Sequence, residues 1–325
     1  MSAYSILSSI FLLDLLTFTI KVFDFIRIFT HFLYYILEGS FRAILPINVL
    51  KRKSVKGDIV LITGGGAGIG RLMAKEFGSL GAKIIIWDIN ETGIKETIDI
   101  LQKNNIECWS YKVDISKKEQ IYETAEKVKS EIGDVDILIN NAGIGSGKKI
   151  FDCDDNLMEL TIAVNLTSHF FTTKAFLPSM LKRNHGHIVS ISSLAGRFPI
   201  AGLADYCASK FGVIGFSEAL SEELLVLKKN NIHVTTVCPF YMNTKMFEGV
   251  VSYSPLILPI LDSSYVVERI LEAVLTNTEH LYLPKISYLG NALYSILPIK
   301  ASRIAGDYLG INASMEDFKN RKKHL

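Results

Sequence analysis

The apolar positions recur differently in three zones of the chain. Between residue 58 and about residue 280, short runs of β-branched and aliphatic residues alternate with longer stretches whose apolar positions recur three to four residues apart. The runs 58–63, 83–88, 108–113, 136–140, 187–193 and 232–237 have strand length, and several, such as Lys83-Ile84-Ile85-Ile86-Trp87-Asp88, are apolar on both alternating faces. Strands buried on both faces belong to a parallel sheet covered by helices. The pattern predicts an α/β fold, a Rossmann-type doubly wound parallel sheet in a single domain spanning residues 58–283.

Residues 1–50 follow another rule. They are dominated by Phe, Leu and Ile, yet Asp14, Lys21, Asp24, Arg27, His31, Glu38 and Arg42 interrupt every long apolar run. At 100° per residue the charged positions from Lys21 to Arg42 fall within an arc of roughly 120°. That distribution suits a membrane-anchoring helix lying in the lipid interface at least as well as one that spans it. A helix packed on a dimer partner is the alternative. The start lacks a basic leader and a small-residue cleavage site, which argues against a cleaved signal peptide. Residues 51–57 form a basic linker with Lys51, Arg52, Lys53 and Lys56, and the positive-inside rule then places the following domain in the cytosol. Residues 284–325 are an apolar extension containing Pro298 and closing on Arg321-Lys322-Lys323-His324-Leu325.

Composition narrows the classes. Hydrophobic residues make up 49% of the 325 and charged residues 21%, which supports a large core and excludes a disordered chain. A net charge of +2 with acids and bases interleaved gives no basic stripe, so nucleic acid is not an expected partner. Cys108, Cys153, Cys207 and Cys238 form no close pair, and His185 and His187 have no ligand partner at metal-binding spacing. Reduced thiols and no metal are expected.

The first strand runs into Thr63-Gly64-Gly65-Gly66-Ala67-Gly68-Ile69-Gly70, which opens a helical stretch. Glycines there allow a tight turn and let backbone N–H groups approach a pyrophosphate facing a helix N-terminus. Asp88 closes the second strand, 18 residues beyond Gly70. A carboxylate there accepts hydrogen bonds from ribose hydroxyls and repels a 2′-phosphate, which favours NAD over NADP; the plainer reading makes Asp88 a helix cap.

Tyr206 and Lys210 stand four apart at the start of a helical stretch and share its face. An ammonium beside a phenol, with the positive charge of an oxidised nicotinamide, lowers the phenol's pKa and makes Tyr206 a base for an alcohol proton. Tyr241 and Lys245 repeat the spacing, but follow Pro239 in a loop and have Lys228 where Tyr206 has Ser193, 13 residues upstream. Ser193 and Tyr206 are placed to converge on one substrate oxygen.

With these residues, the segment from about 58 to 250 resembles the short-chain dehydrogenase/reductase family. The glycines Gly64, Gly68 and Gly70, with Ile69 between, match its dinucleotide loop. Asp114 matches an acid that contacts adenine. Asn141, Ala142 and Gly143, after Asn140, match a turn beside the cofactor. Asn165, Ser193, Tyr206 and Lys210 match its catalytic tetrad. The resemblance implies that Asn165 orders a water in a proton relay, that Lys210 also binds the nicotinamide ribose, and that Thr244 contacts the carboxamide. Pro239-Phe240 stands where many members have Pro-Gly. It also implies a homodimer.

A narrower resemblance joins the segments 86–90, 174–178, 184–187, 202–210 and 305–310 to the epidermal retinol dehydrogenase branch, which neighbours lipid-droplet 17-beta-hydroxysteroid dehydrogenases. It implies oxidation of a lipophilic alcohol, with all-trans-retinol first and a hydroxysteroid or another lipid alcohol second. Phe198, Leu203, Phe240, Met242, Met246 and Phe247 are candidates for an apolar pocket or ordinary core. Lys322 and Lys323 resemble a dilysine retrieval signal, so the expected location is the endoplasmic-reticulum membrane or a lipid-droplet surface. A catalytically vestigial membrane scaffold is the reading from another class, and the intact tetrad argues against it.

Overall fold

The computed structural model describes residues 3–44 and 49–315. They divide into two compact units, Met1–Lys51 and Arg52–Leu325.

The second unit is built on seven parallel strands: β1 (Ile59–Thr63), β2 (Lys83–Asp88), β3 (Cys108–Lys112), β4 (Ile137–Asn140), β5 (Gly186–Ile191), β6 (Ile232–Pro239) and β7 (His280–Leu283). Their order is β3-β2-β1-β4-β5-β6-β7. All neighbouring pairs run parallel. The chain winds outward from β1 in one direction to β3 and then reverses to β4. That reversal opens a crevice at the carboxyl ends of β1 and β4, where ligands bind in open α/β sheets.

Strand alternation sorts the apolar residues into two cores, one per sheet face. Val60, Ile62, Ile84, Ile86, Ile137 and Ile139 pack on one face with helices α2 (Gly68–Ser79) and α8 (Ser263–Leu275). Leu61, Ile85, Trp87, Leu138 and Ile188 pack on the other with α4 (Lys118–Glu131), α6 (Ser168–Arg183) and α7 (Ala204–Val226). The Trp87 ring lies 5.7 Å from Phe176. Helices α3 (Glu91–Lys103) and α5 (Asp155–Ile162) complete the layers.

Three features depart from the sequence reading. The seventh strand adds an edge that the pattern did not mark. The strand expected to end at Ser193 ends at Ile191, and Ser193 instead caps a short turn, its Oγ accepting from Ala195 N–H at 3.1 Å. Two of the four linker cations are structural: Arg52 Nε donates to Glu272 Oε2 at 2.6 Å, and Lys53 Nζ lies 2.7 Å from His187 Nδ1. Burial holds Lys53 down to about 8, although Asp58 pulls the other way. Lys51 and Lys56 are exposed.

The extension continues as α9 (Ile286–Ile296) and α10 (Ile299–Tyr308). It packs back on the sheet end: Tyr288 OH donates to His280 O at 2.8 Å, and Phe198 meets Tyr294 edge-on at 5.4 Å. Lys322 and Lys323 lie outside the described residues.

The first unit is helix α1 (Ala3–Ile44). Among the described residues, no helix is long and apolar enough to cross a membrane. The described side chains of α1 are exposed almost throughout, Phe18, Phe23, Phe25, Phe29 and Phe32 included.

Candidate active site

The crevice begins where β1 meets α2. Gly64 adopts φ +68°, and a Cβ there would stand 2.9 Å from Ala142 Cα. At Gly70 a Cβ would stand 2.1 Å from Gly64 O. The loop can fold back this tightly only because no side chain is present. Gly68 opens α2 and Ile69 anchors its first turn in the core. The preceding residue, Ala67, offers no side-chain cap, so the positive end of α2 is left to face the crevice.

Asp88, at the tip of β2, aims at this loop. Its Oδ2 accepts from Gly66 N–H at 2.8 Å and its Oδ1 from Asn90 N–H at 2.9 Å. It does not cap α3; Asn90 does, with its Oδ1 accepting from Gly93 N–H at 3.1 Å. Arg71, the cation next to the loop, is tied down. Its guanidinium donates to Gly66 O, to Thr97 Oγ1 at 2.9 Å and to Glu96 Oε2 at 2.7 Å. Buried Thr97 in turn donates to Gly65 O at 3.0 Å. Neither Arg71 nor Thr97 was singled out from sequence, because each acts on loop carbonyls through a side chain that belongs to no motif. Asp114 sits in the loop after β3, where its Oδ1 accepts from Ser116 N–H and Oγ at 2.9 and 2.7 Å.

The turn after β4 forms the floor. Thr63 Oγ1 accepts from Asn141 N–H and Ala142 N–H at 3.0 and 3.1 Å, and Asn141 Nδ2 donates to Thr63 O at 2.8 Å. A Cβ on Gly143 would lie 3.4 Å from Asn165 Oδ1 and 3.6 Å from Lys210 Nζ, so this glycine keeps the approach to both clear.

Asn165 lies in a π-turn, Ala163–Thr167, between α5 and α6. Its amide clasps Ile144, accepting from the N–H and donating to the carbonyl, both at 2.8 Å, and donates to Ser209 Oγ at 3.0 Å. Asn165 is fully buried.

Tyr206 and Lys210 rise from the first turns of α7, both buried. Lys210 Nζ donates to Ile191 O at 2.8 Å and lies 5.5 Å from the Tyr206 ring centroid. Ser193 Oγ donates to Pro239 O at 3.4 Å and lies near enough to the Tyr206 hydroxyl to act on its pKa. In the protein alone, burial pushes the Tyr206 phenol well above its ordinary value, and the nearby Ser193 hydroxyl pulls it back in part. The ammonium is turned to the Ile191 carbonyl, and burial brings Lys210 itself down to about 8.

Of the apolar candidates, Leu203, Phe240 and Met242 are core. Phe247 stands edge-on to both Tyr206 and Tyr241, at 6.2 and 5.3 Å. Thr244 opens the short turn that carries Phe247. Tyr241, the other tyrosine with a lysine four residues on, hydrogen-bonds Ser314 at 3.1 Å and takes part in packing the extension.

Residues 58–253 match the family model described as short chain dehydrogenase. The chain is 48% identical over 294 residues to human epidermal retinol dehydrogenase 2, covering 90% of this chain and 94% of the relative. A metagenomic short-chain oxidoreductase solved in complex with NADP superposes with a TM-score of 0.59 at 27% identity, over 71% of this chain and 97% of that one. A short chain dehydrogenase/reductase from Burkholderia phymatum in complex with NAD gives 0.67 at 24% identity, over 80% and 97%, a likeness of fold.

Proposed function

The chain belongs to the short-chain dehydrogenase family, and from that premise we propose that it oxidises all-trans-retinol to all-trans-retinal with NAD, using Tyr206 as general base. The observation that carries the reaction type is the convergence of Ser193, Tyr206, Lys210 and Asn165 at the mouth of a glycine-walled dinucleotide crevice. Retinol stands in the name of the human relative. It agrees with the aromatic wall that Phe247 lends to Tyr206. A hydroxysteroid or another lipid alcohol is the second reading, supported by the same apolar surroundings.

The residues present fit NAD. The Gly64–Gly70 loop and the uncapped end of α2 would take the pyrophosphate. Asp88 would accept from the adenosine ribose, and Asp114 would face the adenine. Asn141, Ala142, Gly143 and Thr244 would border the nicotinamide half. The NAD preference rests on Asp88 at the loop, and on Arg71, the natural partner of a 2′-phosphate, being spent on Glu96 and Gly66. When bound, the dinucleotide supplies the hydride acceptor and a positive ring that lowers the Tyr206 phenol.

Ser193 donates to the substrate oxygen and fixes it beside Tyr206. Tyr206 takes the hydroxyl proton as the carbinol C–H bond breaks and the C=O bond forms. Lys210 keeps a positive charge near the phenolate and holds the nicotinamide ribose, and Asn165 orders the water through which the proton leaves.

We also assign residues 1–50 to membrane association, 58–283 to catalysis and 284–325 to an apolar extension. A 42-residue helix is about 63 Å long, roughly twice a bilayer's hydrocarbon thickness. With its charges on one arc, α1 fits an interfacial anchor. The cytosolic face of the endoplasmic reticulum, or a lipid droplet, is the location that suits a lipid-borne alcohol. A homodimer through α6 and α7 is supported by Phe170 and Phe211, 41% and 43% exposed. NADH formation from all-trans-retinol by the membrane-bound protein tests the reading; no turnover by a protein that binds NAD would move steroid and other lipid alcohols to the front.

A further inference from the structure

The Tyr206 ring is covered by a strap of backbone. The chain leaving β4 passes through the turn at 141–143 into residues 144–148, and this segment lies on the ring. A Cβ on Gly145 would stand 3.3 Å from Tyr206 Cδ2, so a side chain there would crowd the phenol. Phe247 meets the same ring edge-on at 6.2 Å.

The strap is fastened at two points. At its start the Asn165 amide clasps Ile144, through both the N–H and the carbonyl. Two residues on, Ser146 Oγ donates to Asp205 Oδ1 at 2.8 Å and accepts from Lys148 N–H at 3.5 Å. Asp205 immediately precedes Tyr206 in the first turn of α7. The residue that holds the second point is therefore the chain neighbour of the general base.

A carboxylate in a first helical turn is ordinarily explained by capping or by the helix dipole. Asp205 does not cap. Its Oδ1 takes the Ser146 hydroxyl and its Oδ2 is buried with no partner, although Leu203 at the N-cap position offers α7 no side-chain cap. The dipole is served equally well by an exposed carboxylate, yet Asp205 is 7% exposed and Ser146 1%. Burying a carboxylate on a single hydroxyl destabilises a fold. Local rules are broken in this way where a site, not packing, selects the residue.

We infer that Asp205 is a positioning residue of the dehydrogenase reaction: through Ser146 it pins the 144–148 strap on the Tyr206 ring. Tied at Ile144 and at Ser146, the strap closes one side of the ring while Phe247 closes another. The phenol is then held in one bearing relative to Ser193 and to the turn at 141–143. Asp205 itself moves no proton. The inference rests on Tyr206 as general base.

The test compares Ser146→Ala, Asp205→Ala, the double variant, Asp205→Asn and Tyr206→Phe with wild type. Turnover is read as NADH formation from all-trans-retinol, or from the lipid alcohol that wild type accepts, with NAD affinity measured separately. Displacing a reacting group by about 1 Å costs on the order of 100-fold, so each alanine variant should lower kcat by about 10- to 100-fold, with KM and NAD affinity within about threefold. The double variant should be no worse than the worse single, because both remove the same tie. Asp205→Asn keeps an acceptor for Ser146 and puts its nitrogen in place of the unpartnered Oδ2, so kcat should return to within about threefold of wild type. In the cofactor-free protein, amide hydrogen exchange over residues 144–148 should quicken by about tenfold in the alanine variants and not in Asp205→Asn. Should Asp205→Ala not fold, Ser146→Ala against Asp205→Asn decides the matter. Unchanged kcat or exchange in Ser146→Ala, losses that multiply in the double variant, or an Asp205→Asn as impaired as Ser146→Ala would overturn the inference. If Tyr206→Phe retained activity, the general-base assignment would fall instead.

Discussion

Removing the charge of Asp88 while keeping its shape, with Asp88→Asn, separates the cofactor argument into parts that can be measured. The carboxylate now accepts from Gly66 N–H through one oxygen and from Asn90 N–H through the other. An amide has one acceptor, so one of these N–H groups loses its partner, at about 1–3 kcal/mol. The ribose loses a charge-assisted acceptor, worth about as much again. The first cost falls on the loop whether or not cofactor is bound; the second, about 1–3 kcal/mol, weakens NAD by roughly 5- to 150-fold. The opposite effect is expected for NADP. A 2′-phosphate about 5 Å from a carboxylate is repelled by about 3 kcal/mol per charge pair at an effective dielectric of 20. Lifting this raises NADP use by roughly 100-fold. The ratio of kcat/KM for NAD to that for NADP should therefore fall by at least about 100-fold, read from the 340 nm absorbance of the reduced cofactor. A change below tenfold, with both cofactors still bound, would refute the role given to Asp88.

Other consequences are direct. Gly70→Ala places a methyl 2.1 Å from Gly64 O, and displacing the loop by about 1 Å should weaken dinucleotide binding about 100-fold, measurable by calorimetric titration with NADH. Lys210→Met should abolish turnover yet stabilise the fold at neutral pH. Lys210 titrates near 8 when folded against 10.5 unfolded, so unfolding takes up a proton between those values and wild-type stability rises with pH across that window. The variant's advantage of about 2–3 kcal/mol at pH 7 should accordingly shrink by pH 10.5 in denaturant titrations. Replacing the stacked pair Phe25 and Phe29 by Arg should release the protein from phospholipid vesicles by about 100-fold in a flotation assay, whereas exchanging Asp24 for Asn should not.

What the sequence carried was whatever a local rule enforces. The glycine loop is legible because backbone approach allows nothing else there. The two-faced strands are legible because Ile84, Ile85 and Ile86 have to be buried on alternate sides. Tyr206 and Lys210 are legible because one helix turn separates them, with Ser193 at a fixed distance upstream, whereas Asn165 came only with the family resemblance. What escaped depends on partners far along the chain. β7 is a four-residue edge strand whose pattern is too short to mark. The π-turn at Asn165 has no local signal, and the clasp that accompanies it is on Ile144, 21 positions away. The linker cations read as membrane charge until Glu272 and His187, more than a hundred residues on, claim Arg52 and Lys53. The buried state of Tyr206 was equally invisible, and it reverses the direction of its pKa in the protein alone.

The proposed transfer of a proton from all-trans-retinol to Tyr206 as NAD is reduced can be measured directly. Wild-type protein and Tyr206→Phe, each reconstituted in phospholipid membranes, are given all-trans-retinol with NAD or NADP, and retinal and NADH are followed together. Wild type should give equimolar retinal and NADH with NAD and little with NADP, and Tyr206→Phe should lose at least about 100-fold with NAD binding retained. Retinal formation that survives in Tyr206→Phe, or a wild-type protein that binds NAD and leaves retinol unchanged, would contradict it.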